Sequence, residues 1–169
     1  MDAYLDIETT GLSSSCDRIT VIGLYLVKDS DNKLVQLVGD DITEDSILTA
    51  LQGVGNIFTY NGRRFDLPFI HACTGIDLCQ LHHHHDLMFD CRNRGYYGGF
   101  KAVEKRLGIC RKLAGIDGLE AVRLWWKYVN DYDRKALELL LKYNAEDVMN
   151  LKVLRERLSG GEKWEAGGG

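Results

Sequence analysis

Asp6 and Glu8 stand two residues apart in the stretch Ala3-Tyr4-Leu5-Asp6-Ile7-Glu8. In an extended strand that spacing puts both acids on one face with Tyr4, while Leu5 and Ile7 take the other. Taken alone, this is the pattern of an ordinary half-exposed strand with a solvated acidic side, and the further acids of the chain give it another meaning. A third acid, Asp66, lies between Phe65 and Leu67 at the start of an apolar run, where it either joins the first two or simply sits at the positive end of a helix. A fourth, Asp147, follows Tyr143 by four residues. On a helix that is a displacement of only ~40° about the axis, so the two share a face. Both fall at the margin of a leucine stripe, toward the core, whereas Glu146 projects away into solvent. A carboxylate at a core margin needs a partner, or its pKa rises until it neutralises.

If the helix packs across the first strand, all four acids converge. Two like charges 4 Å apart repel by about 4 kcal/mol at an effective dielectric of ~20, so such a cluster requires cations. An all-oxygen donor set selects hard divalent ions, Mg²⁺ or Mn²⁺, over zinc. Two such ions ~3.5–4 Å apart clamp a phosphodiester for in-line attack. The chemistry indicated is phosphoryl transfer.

The elements that must position these groups follow from the pattern of the chain. After a polar loop at Ser13 to Asp17, the stretch Arg18 to Val27 is β-branched and aromatic, Asp29 to Asn32 reads as a hairpin turn, and Lys33 to Val38 is a third strand. These three form an antiparallel meander, with the first strand central so that its acids have walls on both sides. Thr43 caps a helix running to Leu51, with Ser46 three residues on. Asn56 to Tyr60 is a fourth strand, Arg64 to Cys73 a short helix with Pro68 in its first turn, and His82 to Leu87 a fifth strand. From residue 87 the pattern is helical, including Leu119 to Asn130 and, behind an Asp133 N-cap, Arg134 to Leu158. In the latter, Leu137, Leu140, Leu141, Val148, Leu151, Leu154 and Leu158 keep close to a 3.6 period. The expectation is an α/β domain over residues 1–158 with a mixed five-stranded sheet flanked by helices, and a flexible tail over 159–169.

Composition narrows the setting. The 169 residues suit one domain, and 45% hydrophobic with 27% charged residues is ordinary for a soluble globular protein. No apolar run approaches the ~20 residues of a bilayer span, and the N-terminus has no basic region ahead of an apolar one. The expectation is a cytoplasmic protein without signal peptide or membrane partner. Five scattered cysteines, never spaced C-x-x-C, argue against a disulfide framework or zinc site. The net charge of −4 is unevenly spread. Between residues 92 and 112, Arg92, Arg94, Lys101, Lys105, Arg106, Arg111 and Lys112 face one acid, Glu104, with Tyr96, Tyr97 and Phe100 interleaved. That combination suits sequence-tolerant single-strand binding, since cations neutralise phosphates and aromatic faces stack bases; the alternative is a solvated amphipathic helix beside a Gly-rich loop. Arg63 and Arg64, beside Asp66, either hold a phosphate or form surface ion pairs. The run His82 to His85 offers only alternate rings to one face of a strand, so it makes no full ligand set by itself. Trp125 and Trp126 read as packing and rim.

Asp6-Ile7-Glu8-Thr9-Thr10-Gly11 resembles the first motif of the DnaQ-like (DEDD) 3′–5′ exonucleases, which have the ribonuclease H-like fold. Asn61 to Asp66 is similar to the second motif, and Tyr143-Asn144-Ala145-Glu146-Asp147 to the third in its Y-x-x-x-D form, that of the tyrosine subclass; the histidine subclass would want His where Lys142 stands. Gly99 to Glu104, Gly108-Ile109, Gly115 to Gly118, Ala121-Val122 and Tyr143 to Leu151 further resemble the YprB-like group, over about residues 3 to 158. The resemblance implies a two-metal 3′–5′ exonuclease acting on single-stranded DNA or RNA with a free 3′ end. By that resemblance Asp6 bridges both ions, Glu8 and Asp147 hold the ion that activates water, Asp66 supports the second, and Tyr143 orients the attacking water. Thr9, Thr10, Gly11 and Leu12 would cradle the terminal nucleotide. Asn61, Arg63, Arg64, Phe65, Arg92, Arg94, Tyr96, Tyr97 and Lys101 complete the expected nucleic-acid surface. The alternatives are a catalytically quiet nucleic-acid-binding module of the same fold and a structure-specific endonuclease.

Overall fold

The computed structural model describes residues 1–29 and 31–160. The expected tail beyond residue 160 lies outside the described residues. Five strands, β1 (Asp2–Thr9), β2 (Ile19–Lys28), β3 (Asp31–Val38), β4 (Asn56–Thr59) and β5 (His83–Asp86), form one sheet in the order β3-β2-β1-β4-β5. The first three are an antiparallel meander, and β4 and β5 join it in parallel. The mixed five-stranded sheet with β1 at its centre is therefore as the sequence indicates.

Helices cover both faces. Leu5 and Ile7 pair with Leu24 and Ile22 across the β1–β2 ladder, and this apolar face packs on α1 (Glu44–Ala50), α2 (Asp66–Thr74) and α3 (Leu78–Leu81) through Ile47, Leu67, Phe69, Ile70 and Leu78. The opposite face, carrying Tyr4, Asp6 and Glu8, lies under α4 (Leu87–Asn93), α5 (Phe100–Arg106), α6 (Gly118–Asp131) and α7 (Arg134–Ser159). There the core divides in two. Tyr4, Phe58, Leu151 and Leu154 belong to one cluster; Val21, Trp125, Leu140 and Tyr143 belong to the other. Asp6 and Glu8 fall between them, because β1 passes from one cluster to the other as it crosses beneath α7.

Local chemistry sets the helix ends. Thr43 and Ser46 form a reciprocal capping box, so serine does here what glutamate does in the stronger form of that motif. Asp133 accepts from the N–H groups of Lys135 and Ala136 to start α7. Trp125 is buried and Trp126 is at the rim. Among the described residues no helix is long and apolar enough to cross a membrane.

Candidate metal and nucleic-acid site

β1 presents Asp6 and Glu8, and α7 brings Asp147 down onto them. One carboxylate oxygen from each of the three lies within 4.8 Å of the others. Asp6 keeps partial access to solvent, while Glu8 and Asp147 are buried. Tyr143, one helical turn before Asp147, is buried beside them. A register shift between Glu8 and Thr9 ends regular pairing with β2 at this point and lets the chain leave the sheet next to the acids.

Asp66 takes a separate position. The β1–β4 ladder stops at Tyr4 and Phe58, so β1 runs on past its parallel neighbour. Asp66, the first residue of α2, fills that gap: its Oδ1 accepts from the N–H of Ile7 at 3.2 Å. It is buried near the other acids yet outside the group of three.

The electrostatics are those of an anionic centre short of cations. Burial, then the neighbouring charges of Asp147, Glu8 and Asp66, holds the Asp6 carboxyl well above its ordinary range. Burial and the charge of Asp147 do the same to Glu8. Burial pushes Asp66 up to about 7, although the backbone N–H groups of Asp66 and Ile7 oppose the rise. Burial raises Asp147 also, and Arg111 beside it offsets part of that rise. The Tyr143 phenol is raised by burial and by the charges of Asp147, Glu8 and Asp6, so its hydroxyl stays protonated at neutral pH.

The residues present fit divalent ions. Glu8 Oε1 is buried without a hydrogen-bond partner, an expense that an ion would remove. The donor set is oxygen only, as Mg²⁺ or Mn²⁺ requires.

Several contributors were not evident from sequence. Asn144, wholly buried, donates from Nδ2 to the backbone oxygen of Asp6 at 3.4 Å and to its Oδ2 at 3.3 Å, while its Oδ1 accepts from Gln36 Nε2 at 3.0 Å. Its polar side chain sits inside the leucine stripe of α7, between Leu141 and Val148, which was the available signal. Glu104, with its lone negative charge in a basic stretch, is also buried on the apolar face of α5, spaced from Phe100 and Val103 as core residues are. It grips Arg111, which in turn reaches Asp147. Arg111 is thus drawn into the site rather than offered to phosphates at the surface. Glu146 is corrected too: its carboxylate accepts from the N–H groups of Lys112 and Leu113, at 2.5 and 3.0 Å, and pins the loop that carries Arg111.

The expected nucleic-acid surface divides similarly. Thr9 Oγ1 donates to Gly11 O at 2.6 Å, and Thr10 Oγ1 to Asp17 at 3.2 Å, so the turn after β1 is held from within. Leu12 at its tip is 87% exposed. Asn61, at φ +64°, and Arg63 donate their N–H groups to Asp86 at 2.7 and 3.1 Å. Arg63 and Arg64 are exposed, and neither enters an ion pair among the described residues, while Phe65 packs half-buried against the core. Arg92, Arg94 and Tyr97 are exposed. Tyr96 is half-buried against the Tyr4–Phe58 cluster. Lys101 Nζ donates to Ile116 O and lies 4.8 Å over the Tyr143 ring, placing its charge beside the acids instead of on an open surface. The histidine run is structural in part: His84 Nε2 meets Thr59 Oγ1 at 2.9 Å, His82 Nδ1 meets Val54 O at 3.0 Å, and His85 stacks on Phe58.

A family model for the RNase_H superfamily matches residues 3–159. No curated protein matches the chain. Among solved structures, NrnC of Brucella melitensis with bound Mg²⁺ is 21% identical with a TM-score of 0.64, over 94% of this chain and 72% of that one. The same protein bound to pGG is 19% identical with a TM-score of 0.58, over the same shares. The family B DNA polymerase of the hyperthermophilic archaeon Pyrobaculum calidifontis is 15% identical with a TM-score of 0.68, and this chain covers 94% of itself but 24% of that polymerase. At such identities the likeness is one of fold.

Proposed function

The chain belongs to the RNase H superfamily, and on that footing we propose that it is a two-metal-dependent 3′–5′ exonuclease of the DEDD type, hydrolysing phosphodiester bonds at the ends of single-stranded DNA or RNA. The observation that carries the reading is the convergence of Asp6, Glu8 and Asp147 within 4.8 Å, with a buried, unpartnered oxygen on Glu8. A chain that only bound nucleic acid would have no use for mutually repelling, partly dehydrated acids. Tyr143 four residues before Asp147 supports assignment to the tyrosine subclass, and the motifs between residues 99 and 151 support the YprB-like group. The 3′–5′ direction rests on the likeness of the three motifs. NrnC, of similar fold, has been solved with Mg²⁺ and with pGG, which supports a metal-dependent reaction at nucleic-acid ends.

Asp6, Glu8 and Asp147 would hold the ions, with Asp66 in support. The ions would supply a water of lowered pKa and stabilise charge on the phosphate. This chain's own residues do the rest. Tyr143, kept protonated, donates a hydrogen bond and so orients the attacking water rather than taking its proton. The Thr9–Leu12 turn, internally bonded, receives the terminal nucleotide, and Leu12 offers an apolar surface to its base. Arg63 and Arg64 beside the second motif, and Arg92, Arg94 and Tyr97 beyond it, offer charge and a stacking face to the following nucleotides.

Digestion of 5′-labelled single-stranded RNA and DNA with Mg²⁺ or Mn²⁺ tests this. The expected result is a ladder shortening from the 3′ end, abolished by EDTA and in Asp6→Asn, and slowed by about 10²-fold or more in Tyr143→Phe with metal binding retained. Internal cuts that need no free end would point to an endonuclease, and binding without cleavage to a quiet module.

A further inference from the structure

Arg111 is a charged side chain where a charge is costly. It is 7% exposed, with its Cζ 5.7 Å from the Phe100 ring and 5.8 Å from that of Tyr143. Glu104, its partner, is 2% exposed. A guanidinium and a carboxylate taken this far out of water gain little net stability from each other, and well-packed apolar residues often do as well. Something other than stability accounts for the pair.

The hydrogen bonds indicate what that is. Nε and Nη2 of Arg111 donate to the two oxygens of Glu104 at 2.8 and 2.9 Å, a two-point grip that fixes the plane of the guanidinium. Asn150 donates to Glu104 Oε1 at 2.8 Å and so fixes that carboxylate in turn. Nη2 has a second proton, and it goes to Oδ1 of Asp147. The chain of contacts thus starts on α7 at Asn150, passes through Glu104 and Arg111, and returns to α7 three residues away at Asp147.

The geometry points to Arg111 as a positioning residue that fixes the carboxylate of Asp147 for a divalent ion, with Glu104 and Asn150 as its anchors. This rests on the reading of Asp147 as a metal ligand. A cation beside an acidic site can also act as a mere counter-charge that competes with the metal. The two roles differ in sign: removing a competitor tightens metal binding, whereas removing a positioning group weakens it.

Mn²⁺ binding to the full chain, followed by the paramagnetic resonance signal of the free ion with folding checked by circular dichroism, separates them. Glu104→Gln with Arg111→Gln removes one charge of each sign, so the net charge near the acids is unchanged while Asp147 loses its fixed donor. The expected result is Mn²⁺ affinity about 10–100-fold below that of the unaltered chain. Arg111→Lys, which keeps the charge and gives up the fork, should weaken binding in the same direction. Guanidinium ion added to Arg111→Ala should restore affinity where an equal concentration of sodium does not. If the double variant fails to fold, the lysine variant and the guanidinium rescue decide the question. Unchanged or tighter binding in a folded double variant, or in Arg111→Lys without any rescue of Arg111→Ala, overturns the positioning role. Absence of Mn²⁺ binding in the unaltered chain would overturn the metal reading itself, and the positioning role with it.

Discussion

Asp6 is held by a neighbour that depends on a missing side chain. Across the β1–β2 ladder its partner is Gly23, whose own partner on β3 is Gln36, so three residues stand in a row beneath α7. A Cβ at position 23 would lie 2.1 Å from Asn144 Oδ1. Asn144 cannot retreat without breaking its bonds to Asp6 and Gln36. Gly23→Ala should therefore cost about 1–3 kcal/mol of stability, as overpacking does, and should weaken Mn²⁺ binding because Asp6 loses its donor. Thermal melts and metal titration check this, and a variant with both properties unchanged would refute the account. The acids themselves were readable from residue type and spacing, since period two on a strand and period four on a helix fix which side chains share a face. The glycine beneath Asn144 was not: its reason lies on another strand and another helix.

At the scale of elements, the strands and helices followed from alternation and periodicity, while the joints between them did not. Asp86 ends β5 directly after the histidine run, with nothing in its spacing to mark it. In the structure it is buried and accepts three N–H groups, from Asn61 and Met88 on Oδ1 and from Arg63 on Oδ2. It caps α4 and fastens the turn between β4 and α2, the turn that delivers Asp66. Asp86→Ala strips all three and should cost about 2–3 kcal/mol, one cap together with buried donors left unpaired. It should also raise KM for a single-stranded substrate, because the turn it frees carries Arg63 and Arg64, and lower kcat through Asp66, which the same turn delivers. Urea unfolding and steady-state kinetics test both, and an unchanged KM would count against the turn as a substrate contact. Glu146 teaches the same lesson. Its helical phase pointed outward correctly, but outward from α7 proved to be the backbone of the 112–113 loop, not water.

For the molecule as a whole, the acid cluster sets how stability follows pH. Asp6, Glu8, Asp66 and Asp147 bind protons more tightly when folded than when unfolded, where ordinary values of 3.8 and 4.5 apply. Between those values and about 7, where Asp66 titrates, the folded metal-free chain holds more protons, so stability falls as pH rises. Asp2, Asp117 and Asp133 are shifted the other way, and their contribution is complete once pH exceeds their ordinary 3.8. Burial also holds His84 below its ordinary 6.5, one opposing group against the four acids in that window. In EDTA the melting temperature should therefore drop from about pH 5 to about pH 8, and Mn²⁺ should raise it most at the upper end. A pH-independent melting temperature in EDTA would remove the basis for this. The site that produces this behaviour joins residues 138 positions apart, as the Asn144–Asp6 contact shows. While the chain is being synthesised, Asp6 and Glu8 emerge early as two ordinary acids on an unfinished strand, and Tyr143 and Asp147 arrive only with α7. A nascent chain that lacks α7 has Asp6 and Glu8 but neither Tyr143 nor Asp147, so on the reading proposed above the messenger that encodes this domain would be read nearly to the domain's end before anything able to cut a nucleic acid existed beside it.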